Sequence, residues 1–192
     1  MMKIRPSILL LWIFLLVAFI FLIIFYTAHQ TDKSSLRFSF EVNEVEKIQI
    51  GRGSSVNNPT AHLLLTLVKA TRMHEQDWKI PDLGNASADR TKINRLLEQI
   101  HHIQGQLVVN DESAFSDFGI TNEAAFRVSL FSQNWKPILT LLIGNKRNGL
   151  HSFIREMGSL SVYQVDGDLL SFIGIKDEAD NQRPIIDFWL EK

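Results

Sequence analysis

From Ile8 to Tyr26 the chain reads ILLLWIFLLVAFIFLIIFY, without a charge, a proline or a glycine. That is about 19 residues, close to the roughly 20 that a helix needs to cross the hydrocarbon core of a bilayer. A spanning backbone must satisfy its own polar groups, and a helix does so. A helix on a soluble core would show a polar stripe, and this run has none. The pattern predicts a transmembrane helix over 8–27. A cleaved leader would have a shorter apolar stretch and a small-x-small site. Here Ala28 is preceded two positions earlier by bulky Tyr26, which favours an uncleaved anchor. Lys3 and Arg5 stand before the run, whereas Asp32 and Lys33 behind it cancel. Positive residues stay inside, so residues 1–7 are expected in the cytoplasm and the part behind the helix is expected to be exported.

The remainder divides into a short polar linker (28–35) and a domain (36–192). Without Lys3 and Arg5, 18 basic residues face 21 acidic ones in the exported part. This balance offers nothing to nucleic acid. The chain has no cysteine, which excludes disulfides, thiolate metal sites and cysteine nucleophiles.

Within the domain, period-two patterns predict strands around Ile48–Ile50 and Ala125–Ser132, and short strands are read at Gln106–Asn110, Ser152–Arg155 and Ser161–Val165. Ile138–Ile143 is nearly all apolar and reads as a central strand. The run HLLLTLVKA (His62–Ala70) fits a strand through Leu63, Leu65 and Leu67 and a helix through Ala61, Leu64, Leu65 and Val68; strand is chosen because DWKIP (Asp77–Pro81) behind it reads as the second arm of a hairpin. One strong helix is predicted by the stripe Ile93, Leu96, Leu97, Ile100 and Ile103. Ser87 is its expected N-cap, with Asp89 favouring the positive end of the dipole, and Gly105 its C-terminal stop. A short helical segment is expected at Asp168–Ile173. Strands on both sides of one solid helix argue an α+β fold with a mostly antiparallel sheet. No internal repeat is evident.

The chemistry-bearing residues are sparse. The six histidines are His29, His62, His74, His101, His102 and His151. His101 and His102 are adjacent and point about 100° apart on a helix, unlike the i, i+4 pair that binds metal. One is expected beside the apolar stripe and the other in solvent. GNKRNG (Gly144–Gly149) has phosphate-loop spacing but lacks the terminal Lys-Ser/Thr, and GRGSS is not followed by a helix pattern. Both read as turns. The acidic stretch from Asp166 fails as a calcium loop, because Ser171 stands where glycine is required. No G-x-S-x-G elbow occurs. Arg155 is expected in a strand ion pair, and Trp78, Phe115 and Phe118 in the core, with Trp135 beside a turn. No catalytic residue, metal site or cofactor is expected.

The order of DWKIP, ADRTKINRLLEQI, FSDFGI, LLIGN, FIRE, SVYQVD and DLLSFI resembles the bacterial domain-of-unknown-function family 4340. The resemblance spans about Val45 to Trp189. Its pattern falls here on Trp78, Ala88, Asp89, Phe118, Gly119, Ile120, Ile143, Gly144, Val162, Tyr163 and Val165. The resemblance implies a single copy of the unit behind an N-terminal anchor. It further implies company with an ABC-type permease, its ATPase and a gliding-type auxiliary protein, and no catalytic residue. The role the resemblance implies is therefore non-enzymatic: a single-pass protein of the bacterial inner membrane whose periplasmic domain binds membrane or periplasmic protein partners as an accessory subunit of an ABC-transporter-like complex. Two alternatives stand beside it, a structural subunit of a secretion or pilus assembly and an anchored hydrolase with a spatial carboxylate or histidine site.

Overall fold

A computed structural model of the chain describes residues 15–22, 36, 38–53, 63–72, 75–144, 150–175 and 186–191. The chain divides into two compact units, 1–33 and 34–192. In the first, residues 15–22 are helical (α1), and every side chain from Leu15 to Leu22 is exposed. Lys3, Arg5 and most of the apolar run lie outside the described residues. Among the described residues, no helix is long and apolar enough to cross a membrane.

The second unit is α+β, built on a single nine-stranded antiparallel sheet with few helices. Its strands are β1 (Lys47–Arg52), β2 (Leu63–Arg72), β3 (Glu75–Ile80), β4 (Ala86–Ser87), β5 (Gly105–Asn110), β6 (Phe126–Phe131), β7 (Pro137–Ile143), β8 (His151–Glu156) and β9 (Ser161–Asp166). The order is β4-β3-β2-β1-β6-β7-β8-β9-β5. Two four-stranded meanders, β1–β4 and β6–β9, therefore meet at a β1–β6 seam. Each is followed by a helix, α2 (Arg90–His101) and α3 (Leu169–Phe172). Each of these helices starts at an aspartate cap, Asp89 or Asp168. The sequence shows no clear repeat, yet the topology has this internal two-part layout. A last short helix, α4 (Ile186–Trp189), closes the described chain.

Period-two alternation sorts the sheet into two faces. Leu67, Ile48, Leu130 and Leu139 form one cross-strand row, and Leu65, Ile50, Val128 and Leu141 the next. All eight are buried and share one apolar core with Ile93, Leu96, Leu97 and Ile100 of α2. The predicted stripe thus lies on the sheet as its spacing requires. The alternate positions of the central strands are polar: Gln49 pairs with Thr66 and Ser129, and the Thr140 hydroxyl donates to Ser129 Oγ at 3.3 Å. Further along that second face, Phe115, Ile120, Ala125, Leu142 and Val162 make a smaller cluster under the β5–β6 connection.

Four sequence expectations need correction. The α2 cap is Asp89, whose carboxylate accepts from the Lys92 N–H at 3.1 Å, while Ser87 belongs to β4. The Ala88 N–H is already bonded to Trp78 O at 2.9 Å, so the backbone stays in the ladder through Ala88. Gly105 does not end the helix; His102 is the C-cap, and Gly105 opens β5. A Cβ on Gly105 would stand 2.9 Å from Val165 Cγ1, so glycine is required for close approach of β5 to β9. Arg155 bonds carbonyl and amide oxygens, as set out below. The GRGSS segment, expected as a turn, starts inside the sheet: Gly51 and Arg52 belong to β1, paired with Arg127 and Phe126 of β6. Residues 54–62 and 145–149, with His29, His62 and His74, lie outside the described residues.

Candidate functional site

The pattern residues fall into two places. Trp78 is buried in β3, Ala88 bridges to Leu190, and Asp89 caps α2. This junction is closed by the C-terminal residues. The Asp89 N–H donates to Trp189 O at 2.7 Å, and Lys92 Nζ donates to Phe188 O at 2.7 Å. Lys92 also pairs with Asp89 Oδ2 at 3.0 Å. Burial alone would raise the Asp89 carboxyl, but the Lys92 ammonium, together with the backbone N–H groups of Lys92 and Thr91, brings it below its ordinary value. A depressed folded value stabilises the fold above the unfolded carboxyl pKa and is lost as pH falls through the folded one. Asp89→Asn keeps a capping oxygen and removes the charge. It should destabilise the chain at neutral pH, and the difference should shrink below about pH 4, the ordinary carboxylate range, in parallel urea titrations.

The second place joins Phe118-Gly119-Ile120 to Ile143-Gly144. Gly119 has φ +64°, a conformation that suits glycine. A Cβ on Gly144 would lie 2.5 Å from Phe118 O, and its N–H donates to Phe153 O at 2.8 Å. The two glycine motifs are therefore one contact. Gly144→Ala must push the Phe118 turn away and should cost about 1–3 kcal/mol in chemical denaturation. Val162 seals this cluster, while Tyr163 and Val165 point to the α2 core from the same strand.

Arg155, only 4% exposed, pins the β5–β6 connection to the sheet. Its Nε donates to Ile120 O at 3.0 Å, Nη1 to Ser159 O at 3.2 Å and Nη2 to Asn122 Oδ1 at 2.5 Å. The guanidinium also stacks on Phe115, 4.2 Å from the ring centroid. Burial lowers its pKa, and Glu112 and Glu123 push it back up. These contacts make Arg155 a clamp on a turn rather than a group facing a ligand.

The surface features lie elsewhere. His101 and His102 line, with Ile103 and Gln104, one wall of a cleft of about 420 Å³; Leu36, Phe38 and Ser39 form the other. The His101 ring is half-buried, edge-on to Phe40 at 5.5 Å and to His102 at 4.8 Å. Its Nδ1 is buried and, among the described residues, has no hydrogen-bond partner. Among the described residues no group of three His, Cys, Asp or Glu side chains converges as a metal site would. His151 lies in β8, 3.1 Å from Asp166 Oδ1 at the strand end.

Directly after the cleft the chain enters β5, the last strand of the sheet. Leu107 and Val108 are 47% and 41% exposed there. The ladder to β9 shifts register between Leu107 and Val109, leaving Val108 as a bulge. The opposite edge differs. β4 has two residues, Ser87 O accepts from the Glu191 N–H at 3.1 Å, and Ala88 bridges to Leu190. The C-terminal residues thus lie along β4, whereas among the described residues no strand pairs with the outer side of β5. Trp135, as its place by a turn suggested, is 53% exposed at the β6–β7 hairpin, beneath Lys47.

This architecture defines an α+β domain on one antiparallel sheet. The chain belongs to the family described as Domain of unknown function (DUF4340), whose sequence pattern matches residues 78–178, just over half of the chain. The match holds every pattern residue named above and is shorter at both ends than the 45–189 stretch of the sequence resemblance. No curated protein and no solved structure matches the chain.

Proposed function

We propose that the chain is a single-pass inner-membrane protein, anchored through residues 8–27 with its N-terminus in the cytoplasm. Its sheet domain acts in the periplasm as a non-enzymatic binding subunit, accessory to an ABC-transporter-like envelope complex. The observation that carries this reading is the uncharged apolar run from Ile8 to Tyr26 ahead of a separate compact unit. Helical geometry at 15–22 and the full exposure of its apolar side chains support it, since such a surface is stable in lipid. The β5 edge, which no strand covers among the described residues, supports a binding role, because an extended partner segment can add to an open ladder. The short linker raises the domain's effective concentration toward any membrane-bound partner.

The test is crosslinking of the full-length protein in cells, mild-detergent extraction, affinity capture and mass spectrometry. Recovery of a permease, its ATPase or an auxiliary protein of that complex is the expected result. Secretion or pilus components would transfer the protein to that class. Recovery of the chain without partners, under conditions that preserve other membrane complexes, would overturn the subunit reading. Its presence in the soluble fraction would overturn the anchor.

A further inference from the structure

We infer that the cleft between residues 36–39 and 101–104 is a lipid site, which takes one fatty acyl chain with its carboxyl or ester end at the two imidazoles. This rests on the anchored reading above only for the source of the lipid.

The volume of about 420 Å³ lies within the range of small-molecule sites. Leu36, Phe38 and Ile103 give the cleft apolar walls, while Ser39, His101, His102 and Gln104 add hydroxyl, imidazole and amide groups. None of these lining residues is Asp, Glu, Lys or Arg. A nucleotide, a sugar phosphate or a charged peptide would bury its charge there without a counter-ion, which is costly. A neutral sugar would set its hydroxyls against the leucine, phenylalanine and isoleucine walls. An apolar chain closed by one hydrogen-bonding group asks only for what this lining offers.

The histidines select the chemistry of that group. They are the last residue of α2 and its C-cap, with rings 4.8 Å apart. The half-buried His101 ring lines the cleft, but its Nδ1 is closed off and has no partner among the described residues. An orphaned buried N–H is rarer than an unsatisfied buried acceptor, so the proton of the neutral ring belongs on Nε2. In that tautomer the ring has one donor to give. The matching ligand atom is an acceptor, such as the carbonyl oxygen of a carboxyl or ester. An ammonium group or a metal ion would ask for a lone pair instead.

On the anchored reading the source is close. Leu36 follows the linker 28–35 directly, and that linker reaches about 28 Å at most when extended. The first wall of the cleft is therefore tethered near the lipid surface.

The test is photolabelling of the full-length protein in growing cells with a palmitic acid analogue that carries a diazirine in its chain and a terminal alkyne. The protein is captured after irradiation and digested, and the adducts are located by mass spectrometry. The expected result is labelling of 36–39 and 101–104 beside that of the apolar run 8–26, with none at the exposed Leu83, Trp135 and Leu150. His101→Phe keeps a ring and removes the donor. It should lower cleft labelling about fivefold against the 8–26 adducts of the same sample, as for the loss of one hydrogen bond. Ser39→Trp, at an exposed wall position, should block the cleft. Adducts on 8–26 alone would overturn the lipid site and leave the anchor standing. Cleft adducts without those on 8–26 would uphold the site and overturn the anchor, and adducts on neither would overturn both. Equal labelling of Leu83, Trp135 and Leu150, or unchanged cleft labelling in both variants, would show non-specific partition and overturn the site. The adduct map of the unaltered chain decides the site even where a variant fails to fold. Adduct mass separates a free fatty acid from a phospholipid, and either supports the proposal.

Discussion

Replacement of Trp189 by alanine should destabilise the sheet domain by about 3–5 kcal/mol, as expected for emptying a buried aromatic site. Trp189 is fully buried, and its Nε1 donates to Ile173 O at 3.3 Å. Its backbone carbonyl accepts from the Asp89 N–H, so the residue ties α4 both to α3 and to the start of α2. Phe188 beside it packs edge-on at 5.0 Å and leans on Gly174, where a Cβ would stand 3.2 Å from the Phe188 ring. Loss of the indole therefore opens the α2–α3–α4 corner and not merely a terminus. Thermal melts should show a fall of roughly 10 °C or more, given the few degrees per kcal/mol usual at this size. Trp189→Phe keeps most of the apolar area and loses the indole hydrogen bond, so its loss should be much smaller. Equal melting of the alanine variant and the parent would show that the corner contributes nothing to stability.

Arg155→Leu should cost more than about 3 kcal/mol, because several acceptors lose their donor together and each unsatisfied buried group costs about 1–3 kcal/mol. Ile120 O, Ser159 O and Asn122 Oδ1 all depend on one guanidinium. Lysine restores a charge but not the planar fork, so Arg155→Lys should fall between the two. Urea denaturation gives the ranking. Hydrogen exchange should place the first loosening in the β5–β6 connection over Ile120 to Asn122, with the α2 core still protected. Uniform loosening of the whole sheet would show that Arg155 does not act as a local clamp.

What the sequence displayed and what it hid follow the range of the interactions concerned. The α2 stripe was legible because Ile93, Leu96, Leu97 and Ile100 obey a local period, and the β2–β3 hairpin because its arms are neighbours in sequence. The choice between Ser87 and Asp89 as cap was hidden, since it turns on Ala88 bonding to Trp78 and Leu190. The fate of Arg155 was hidden for the same reason: two of its three acceptors, Ile120 O and Asn122 Oδ1, arrive from a connection 33 to 35 residues away. The open edge could not be read at all. QLVVN reads as a strand wherever it sits, and its place at the end of the sheet is fixed by β9, far along the chain. Likewise Gly144 and Phe118-Gly119 are separate turns in sequence and one contact in space.

The seam between the two meanders also governs how fast the domain forms. Each meander is made of hairpins between sequence neighbours, which close quickly. The β1–β6 ladder, by contrast, joins residues about 74 to 84 positions apart, from Arg52–Phe126 to Lys47–Phe131. Pairing over such a distance must meet its loop-closure entropy before any contact repays it. An emerging chain would hold its first meander with the β1 edge unpaired until β6 has been delivered. For that interval the edge carrying Ile48 and Ile50 is bare, and a chaperone that shields it would have its effect during this wait, not after the sheet is joined.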